Sequence, residues 1–229
     1  MRELVMDTET TGFDPQQGDR IVEIGAVELI NQMPTGRTYH QYINPERAMP
    51  NEAFEVHGLG DDFLRDKPVF KQIAQEFLDF VGTDKMVIHN AAFDMKFLNA
   101  ELGWLNLPQL PWEQALDTLA IARKKFPGSP ASLDALCRRF NIDNSNRTLH
   151  GALLDSEILA EVYLELLGGR QPGLVLANSG GGANGGSEET WRPSKRPSPL
   201  PPRITEEETK AHVTFVEKLG EDALWSKLT

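Results

Sequence analysis

Cysteine is almost absent from this 229-residue chain: the only one, Cys137, lies in an apolar segment with helical spacing. A single cysteine excludes a disulfide framework within the chain and favours a reducing compartment. Apolar runs are short too, and none reaches the roughly 18 residues that a membrane-spanning helix needs. The first ten residues lack the pattern of a signal peptide. Together these absences predict a cytoplasmic protein with no membrane partner.

Positive charge is scarce, with 23 basic residues against 34 acidic ones and a net charge of −11. Residues 170–229 hold eight basic and eight acidic residues, so the whole negative excess belongs to residues 1–169. Proteins that hold duplex DNA tightly by themselves neutralise its phosphates with Lys and Arg. This composition argues against that class. If the protein acts on nucleic acid, we expect metal ions and a tethering partner to help.

Composition divides the chain into three parts. Residues 1–169 have the mixed patterning of one folded domain. Residues 170–203 are rich in Gly, Ser and Pro, which predicts a flexible to semi-rigid linker. Residues 204–229 begin with Thr205-Glu206-Glu207-Glu208, a capping-box pattern, and continue with apolar residues at helical spacing. They are predicted to form a short C-terminal helix.

Strands and helices alternate along residues 1–169, which predicts an α/β fold with a mixed central sheet flanked by helices. The predicted strands are Glu3–Asp7, Arg20–Ile30, Arg37–Ile43, Met86–His89 and Ala115–Asp117. The predicted helices are Pro68–Val81, Ala91–Leu102, Thr118–Lys125, Ser132–Phe140 and Ala152–Leu167. These assignments follow from apolar periods of two and of 3.6 residues.

Several carboxylates occur where burial is costly. Asp7 and Glu9 follow an apolar run, and residues two apart in a strand share a face, so their side chains should converge. Asp155 lies on the apolar face of the predicted helix Ala152–Leu167, and Asp94 has a similarly mixed setting. A buried carboxylate needs a cation nearby. Each acid alone also fits an ordinary loop or surface, so the metal hypothesis depends on their combination.

Four carboxylates and a histidine suit a two-metal centre for phosphodiester hydrolysis. Two divalent ions about 3.5–4 Å apart can activate the attacking water and stabilise the leaving oxygen. Oxygen ligands favour Mg²⁺ or Mn²⁺ over zinc.

His150 is the candidate base for the proton of that water, because a neutral imidazole accepts protons near pH 7. It lies five positions before Asp155, which is about 140° around a helix. We therefore expect His150 on the loop or first turn before the helix, where it can move toward the metals or away. Taken alone, such a histidine is more often an ordinary satisfied or exposed residue than a catalytic base.

The order of these segments resembles the DEDDh family of 3′–5′ exonucleases. Three segments carry the resemblance: Asp7-x-Glu9, Asn90-Ala91-Ala92-Phe93-Asp94, and His150 with Asp155. Longer matches, including MDTETTGF, VIHNAAFD and LHGALLD, lie within residues 1–169. The resemblance implies an RNase H-like fold and a 3′–5′ exonuclease domain over those residues.

The resemblance also implies a role for each motif residue. Asp7 would bridge both metal ions, and Glu9 and Asp155 would complete the shell of the first. Asp94 would serve the second ion, partly through water, and His150 would be the general base.

A site for the 3′-terminal nucleotide is implied as well. Its predicted residues are Glu9, Thr10, Gly12, Val56, His57 and Phe93. The apolar members could stack on bases of any sequence, although Val56 and Phe93 equally fit an ordinary core. The alternative for His57 is that it only shapes a turn, since it precedes a glycine. Asp117 and Asp134 lie near predicted helix starts, where a capping or first-turn role suffices, and are excluded from the metal site.

Among DEDDh exonucleases, the resemblance is strongest to those that proofread for bacterial DNA polymerase III. It implies that residues 204–229 bind the alpha (polymerase) subunit, with folding back on the domain as the alternative. The predicted contacts are Val213, Phe215, Val216, Leu219, Leu224 and Trp225. Gln171, Leu174 and Leu176 loosely match a sliding-clamp motif that lacks its aromatic end, and a plain linker is the alternative. A theta-like accessory subunit is a further possible partner.

These features predict a two-metal-dependent 3′–5′ DNA exonuclease that removes mispaired nucleotides, as nucleoside 5′-monophosphates, from single-stranded or frayed 3′ ends. One alternative is a DEDDh exoribonuclease, against which the terminal helix argues. The other is a mainly structural, polymerase-stabilising subunit, against which the five intact motif residues argue.

Overall fold

The structure is a computed structural model that describes residues 1–145, 147, 149–169 and 204–219. Its contacts divide the chain into two compact units, residues 1–176 and 177–229. Among the described residues, no helix is both long enough and apolar enough to cross a bilayer.

A mixed sheet of five strands, in the order β3-β2-β1-β4-β5, forms the centre of the first unit. Its strands are β1 (Arg2–Thr10), β2 (Ile21–Ile30), β3 (Met33–Tyr42), β4 (Lys85–Ile88) and β5 (Ala115–Asp117). The pairs β1–β2 and β2–β3 are antiparallel, whereas β4 runs parallel to both β1 and β5. The predicted α/β class and mixed sheet are confirmed.

Seven helices of the first unit surround this sheet within its described residues. They are α1 (Asn51–His57), α2 (Asp61–Leu64), α3 (Phe70–Val81), α4 (Ala91–Trp104), α5 (Thr118–Lys125), α6 (Leu133–Phe140) and α7 (Ala152–Leu167). Two short 3₁₀ helices cover Pro15–Gln17 and Trp112–Gln114.

The alternation of β1 side chains places one core on each face of the sheet. Leu4 and Met6 belong to the larger core, which includes phenylalanines of α3 and α4. Val5 belongs to a second core with Leu159 and Tyr163 of α7. The odd-numbered residues of β1 therefore face α7, and this alternation determines which face carries Asp7 and Glu9.

The strands and helices predicted within residues 1–169 are all present, but two strand boundaries differ from the prediction by more than one residue. β1 continues to Thr10, so Asp7 and Glu9 lie inside the strand and not at its end. β3 begins at Met33, before the predicted start at Arg37, because a two-residue turn joins it to β2. Both turn residues, Asn31 and Gln32, have positive φ, as tight hairpins require.

Side chains cap the starts of two helices, α5 and α6. Ser132 Oγ accepts a hydrogen bond from the Ala135 N–H (3.3 Å) at the start of α6. Asp117 caps α5 by accepting from the Leu119 N–H at 2.9 Å. These contacts give Asp117 a structural role, in agreement with its exclusion from the metal site.

The second unit contains α8 (Glu206–Leu219). The predicted capping box is present: Glu208 N–H donates to Thr205 Oγ1 (3.2 Å), and Thr205 N–H donates to Glu208 Oε2 (2.8 Å). Val213, Phe215 and Leu219 are exposed on α8, and Val216 is partly buried. Gln171, Leu174, Leu176, Leu224 and Trp225 lie outside the described residues.

Candidate active site

Asp7 and Glu9 lie on the face of β1 that is covered by α7. In the pairing with β2, Asp7 is opposite Gly25 and Glu9 is opposite Glu23. Glu9 is buried and Asp7 is partly exposed. The convergence that strand alternation predicts is therefore present in the structure.

The N-terminal turn of α7 contacts β2 directly at Gly25. A Cβ atom on Gly25 would lie 2.2 Å from the carbonyl carbon of Ala152, so only glycine permits this approach. Ser156 Oγ donates to the Gly25 carbonyl at 3.0 Å. The N-cap residue, Gly151, has no side chain, and Glu23 substitutes for one by accepting from the Ala152 N–H at 3.1 Å. These contacts hold Asp155 close to the carboxylates of β1.

Asp94 enters the site from the first turn of α4. Asn90, the residue before this helix, has a left-handed conformation (φ 66°), which turns the chain sharply from β4 into α4. Thr8 Oγ1 donates to Asp94 Oδ1 at 2.7 Å. Thr8 alternates with Asp7 and Glu9 along β1, and its bond fixes a buried carboxylate beside them.

Three of these carboxylates have raised pKa values, because burial and repulsion by neighbouring carboxylates disfavour their ionised forms. Burial, and then Asp94, Glu9 and Asp155, raise the pKa of Asp7 well above its ordinary value. Burial and the charge of Asp155 raise the pKa of Glu9 to about 8. Burial raises the pKa of Asp94 to about 7, although the Thr8 bond opposes the shift. A bound cation would stabilise the ionised forms of these carboxylates and lower their pKa values.

Asp155 differs from the other three carboxylates. Burial alone would raise its pKa, but the contacts with His150 and Arg147 outweigh burial and hold the pKa below its ordinary value. Asp155 therefore stays ionised and already has a cationic neighbour.

The donor atoms fit a divalent metal ion. One ligand atom from each of Glu9, His150 and Asp155 lies within 4.8 Å of the other two. Carboxylate oxygens predominate once Asp7 and Asp94 are included, and hard divalent cations prefer oxygen ligands.

His150 lies outside α7, on the preceding loop, as the five-residue spacing predicts. Its side chain is 48% exposed, and its Nδ1 lies 3.4 Å from Asp155 Oδ2. The backbone N–H of His150 donates to the carbonyl of Val56, in α1, at 3.0 Å. This hydrogen bond joins the loop that carries His150 to α1, which lines another side of the site.

Two adjoining cavities contain the predicted site. The larger, about 670 Å³, is lined by all five motif residues: Asp7, Glu9, Asp94, His150 and Asp155. The other, about 470 Å³, is lined by all six predicted nucleotide contacts: Glu9, Thr10, Gly12, Val56, His57 and Phe93. The two cavities share Thr8, Glu9, Phe13 and Phe93. The two cavities therefore meet at Glu9, which belongs both to the predicted metal ligands and to the predicted nucleotide contacts.

The smaller cavity, called the nucleotide cavity below, is lined by apolar side chains of different exposure, and Phe93 among them packs against the larger core. Val56 is 45% exposed, and Phe13 is 85% exposed with its ring edge-to-face with Phe93. His57 is buried, its Nδ1 accepts from the Leu59 N–H, and its Nε2 has no hydrogen-bond partner in the described part of the chain. Burial lowers the pKa of His57.

Sequence reasoning misses the residues that hold these groups in place. Glu23 and Gly25 lie in the apolar strand β2, where the only signal is an acid and a glycine at buried positions. Arg147 contacts Asp155, His150 and also Asp134, and no pattern in the sequence connects these four residues.

Comparison with known proteins identifies a family and a fold. A family model described as an exonuclease matches residues 4–163. The chain is 48% identical to DNA polymerase III subunit epsilon of Rickettsia conorii over 222 residues, or 96% of both chains. It is 46% identical to the protein of that name from Escherichia coli K12, covering 98% of this chain and 97% of the relative.

Solved structures agree with this assignment. Exonuclease X, in complex with 5′ overhanging duplex DNA, matches 72% of this chain and 90% of its own, with a TM-score of 0.57 and 26% identity. The nuclease domain of 3′hExo, a DEDDh family member bound to rAMP, matches 72% of this chain and 91% of its own, with a TM-score of 0.63 and 21% identity. The RNase H-like exonuclease fold is confirmed.

Proposed function

Because this chain belongs to the exonuclease family, we propose that it is the proofreading subunit of a replicative DNA polymerase, a 3′–5′ exonuclease that removes mispaired terminal nucleotides from DNA. The observation that carries the proposal is the convergence of all five motif residues in a cavity that adjoins a nucleotide-sized one. The epsilon-subunit relatives, aligned over nearly their whole length, support the replicative role.

Asp7, Glu9, Asp94 and Asp155 would hold two divalent ions, Mg²⁺ or Mn²⁺. When bound, such ions lower the pKa of the attacking water and stabilise the leaving oxygen. His150 would take the proton of that water, because its exposed ring can reach the cavity from the loop. The products would be nucleoside 5′-monophosphates.

The nucleotide cavity supports a preference for unpaired ends. Phe93 and Val56 offer apolar contacts that any base can use, which gives no selection for sequence. Entry of a terminal nucleotide requires that it leave its partner base. A mispaired terminus frays more readily than a paired one, so discrimination arises from the DNA end itself.

The function is tested with a 3′-mismatched DNA primer, its matched counterpart and an RNA primer of the same sequence, each with Mg²⁺ or with EDTA. We expect metal-dependent release of 5′-mononucleotides, fastest from the mismatched DNA. Faster hydrolysis of the RNA would instead identify an exoribonuclease. No release from any primer would favour a structural subunit.

In the same assay, His150→Ala provides the control for the active site. We expect it to retain Mn²⁺ binding and to lose about 10²–10⁴-fold in turnover, the usual contribution of a general base. Undiminished hydrolysis by this variant would exclude His150 as the base.

We also propose the division into an exonuclease domain (1–169), a linker (170–203) and a polymerase-binding segment (204–229). Apolar side chains exposed on α8, such as Phe215 and Leu219, support the docking of this segment on the alpha subunit. Two further partners are proposed from the family resemblance. They are a sliding clamp, bound through Gln171, Leu174 and Leu176, and a theta-like subunit on the exonuclease domain.

Deletion of residues 203–229 should abolish association with the polymerase alpha subunit and preserve hydrolysis of a primer. A milder variant, Phe215→Asp, should weaken association because it places a charge in an apolar contact. Glu217→Ala, on the same helix, is the matched control. Surface plasmon resonance with immobilised alpha subunit measures all three, and unchanged affinity of the truncated chain would refute the docking role.

A further inference from the structure

Arg147 is the most heavily engaged cation of the site. Its side chain is only 9% exposed, and it donates to both oxygens of Asp155, from Nε to Oδ1 and from Nη2 to Oδ2 at 2.7 Å. The same Nη2 donates to His150 Nδ1 at 2.8 Å. Nη1 donates to Asp134 Oδ1 at 2.9 Å. One guanidinium therefore joins a predicted metal ligand, the predicted base and a carboxylate outside the metal cluster.

The contact with His150 determines how the imidazole is protonated. A guanidinium N–H can only donate, so Nδ1 is the acceptor and the proton of the neutral ring is on Nε2. The lone pair that could accept a proton from water is therefore in use. The contact with Asp155 has a parallel effect, because both carboxylate oxygens are already bonded to a cation.

We propose that Arg147 is a positioning residue that gates the site: it competes with metal for Asp155 and withholds the lone pair of His150. Release of both requires the guanidinium to withdraw from Asp155 and His150. Asp134 can hold the withdrawn guanidinium, since Nη1 already donates to its 46% exposed side chain on the first turn of α6. A metal ligand and the base are thus freed by a single movement. This inference rests on the proposed metal site.

The test is Mn²⁺ binding by the EDTA-treated full chain, followed by electron paramagnetic resonance. Arg147→Gln removes the competing charge, and we expect the dissociation constant to fall by about tenfold, the scale of one unit charge a few ångströms away in a partly wet site. Damage to the fold would weaken binding, so the direction of the change separates the two effects. The Arg147→Lys side chain keeps the positive charge but cannot donate to both oxygens of Asp155 at once. This variant should therefore bind Mn²⁺ with intermediate affinity.

Arg123→Gln is the matched control, since Arg123 lines the same cavity and has no ion pair among the described residues. It should change the affinity less than Arg147→Gln does. In long-range ¹H–¹⁵N spectra, the unsubstituted chain should show the Nε2–H form of His150, and Arg147→Gln should lose this preference. Failure of the unsubstituted chain to bind Mn²⁺ would overturn the metal site itself. Normal binding with no gain in either Arg147 variant would overturn only the gate.

Discussion

Gly25→Ala should reduce both the stability and the turnover of the enzyme. The added methyl group would lie 2.2 Å from backbone atoms of Ala152 and Leu153, and backbone cannot rotate away as a side chain can. Either β2 or the start of α7 must move. Overpacking of this kind costs about 1–3 kcal/mol of folding free energy.

Turnover should fall because the displaced first turn of α7 carries Asp155, a predicted metal ligand. Asp155 lies one helical turn after Ala152, so a shift of α7 moves this carboxylate away from Asp7 and Glu9. A misplacement of about 1 Å costs roughly 100-fold in rate. Thermal unfolding and primer hydrolysis measure the two effects.

Gly151→Ala is the matched control, because a Cβ atom there meets open space although the residue adjoins the same helix. We expect it to lose less than about 1 kcal/mol, through weaker capping. Equal behaviour of the two variants would show that the close contact at Gly25 does not position Asp155.

Asp7→Asn should lower the turnover of the enzyme and raise its folding stability in the absence of metal. Turnover should fall by at least about a thousandfold, since metal-assisted charge stabilisation is worth several kcal/mol and each 1.36 kcal/mol is tenfold. In EDTA the variant should nevertheless be more stable than the unsubstituted chain, because burial and the neighbouring carboxylates make the ionised Asp7 side chain unfavourable.

The pH dependence of stability in EDTA provides a second measurement. Glu9, with a pKa of about 8, and Asp94, with a pKa of about 7, bind protons more tightly in the folded chain than in the unfolded one. Their protonated forms therefore favour folding at low pH, and this stability is lost as pH rises through about 7 to 8.

The melting temperature in EDTA should accordingly fall between about pH 5 and pH 8.5, less steeply in Asp7→Asn. Glu76→Gln, which removes an exposed carboxylate from α3, should leave the slope unchanged. A slope identical in all three proteins would mean that the cluster is not strained.

Periodicity predicts most of the fold and the members of the site. Alternation along β1 places Asp7 with Glu9, and helical spacing buries Asp155, because both patterns are local. The helix α1 is missed since it has only seven residues, and its cap, Pro50, contributes no side-chain hydrogen bond. Its apolar residue Val56 lines a cavity, so it adds no core-facing pattern.

The contacts between distant segments are what sequence reasoning cannot supply. Glu23 caps α7 across 129 positions of the chain, and the need for a glycine at position 25 appears only when α7 is placed on β2. Arg147 is similar: its partners lie within 13 residues, but they converge only because α6, α7 and the intervening loop fold around one carboxylate. These contacts depend on how distant segments pack together, and local sequence patterns do not contain that information.

Val56 contributes to two events at once: its side chain lines the nucleotide cavity, and its carbonyl accepts the N–H of His150. One residue thus links a wall of this cavity to the backbone of the predicted base. A substitution or shift that moves α1 should therefore change the shape of the cavity and the position of His150 together, and the two cannot be tuned separately.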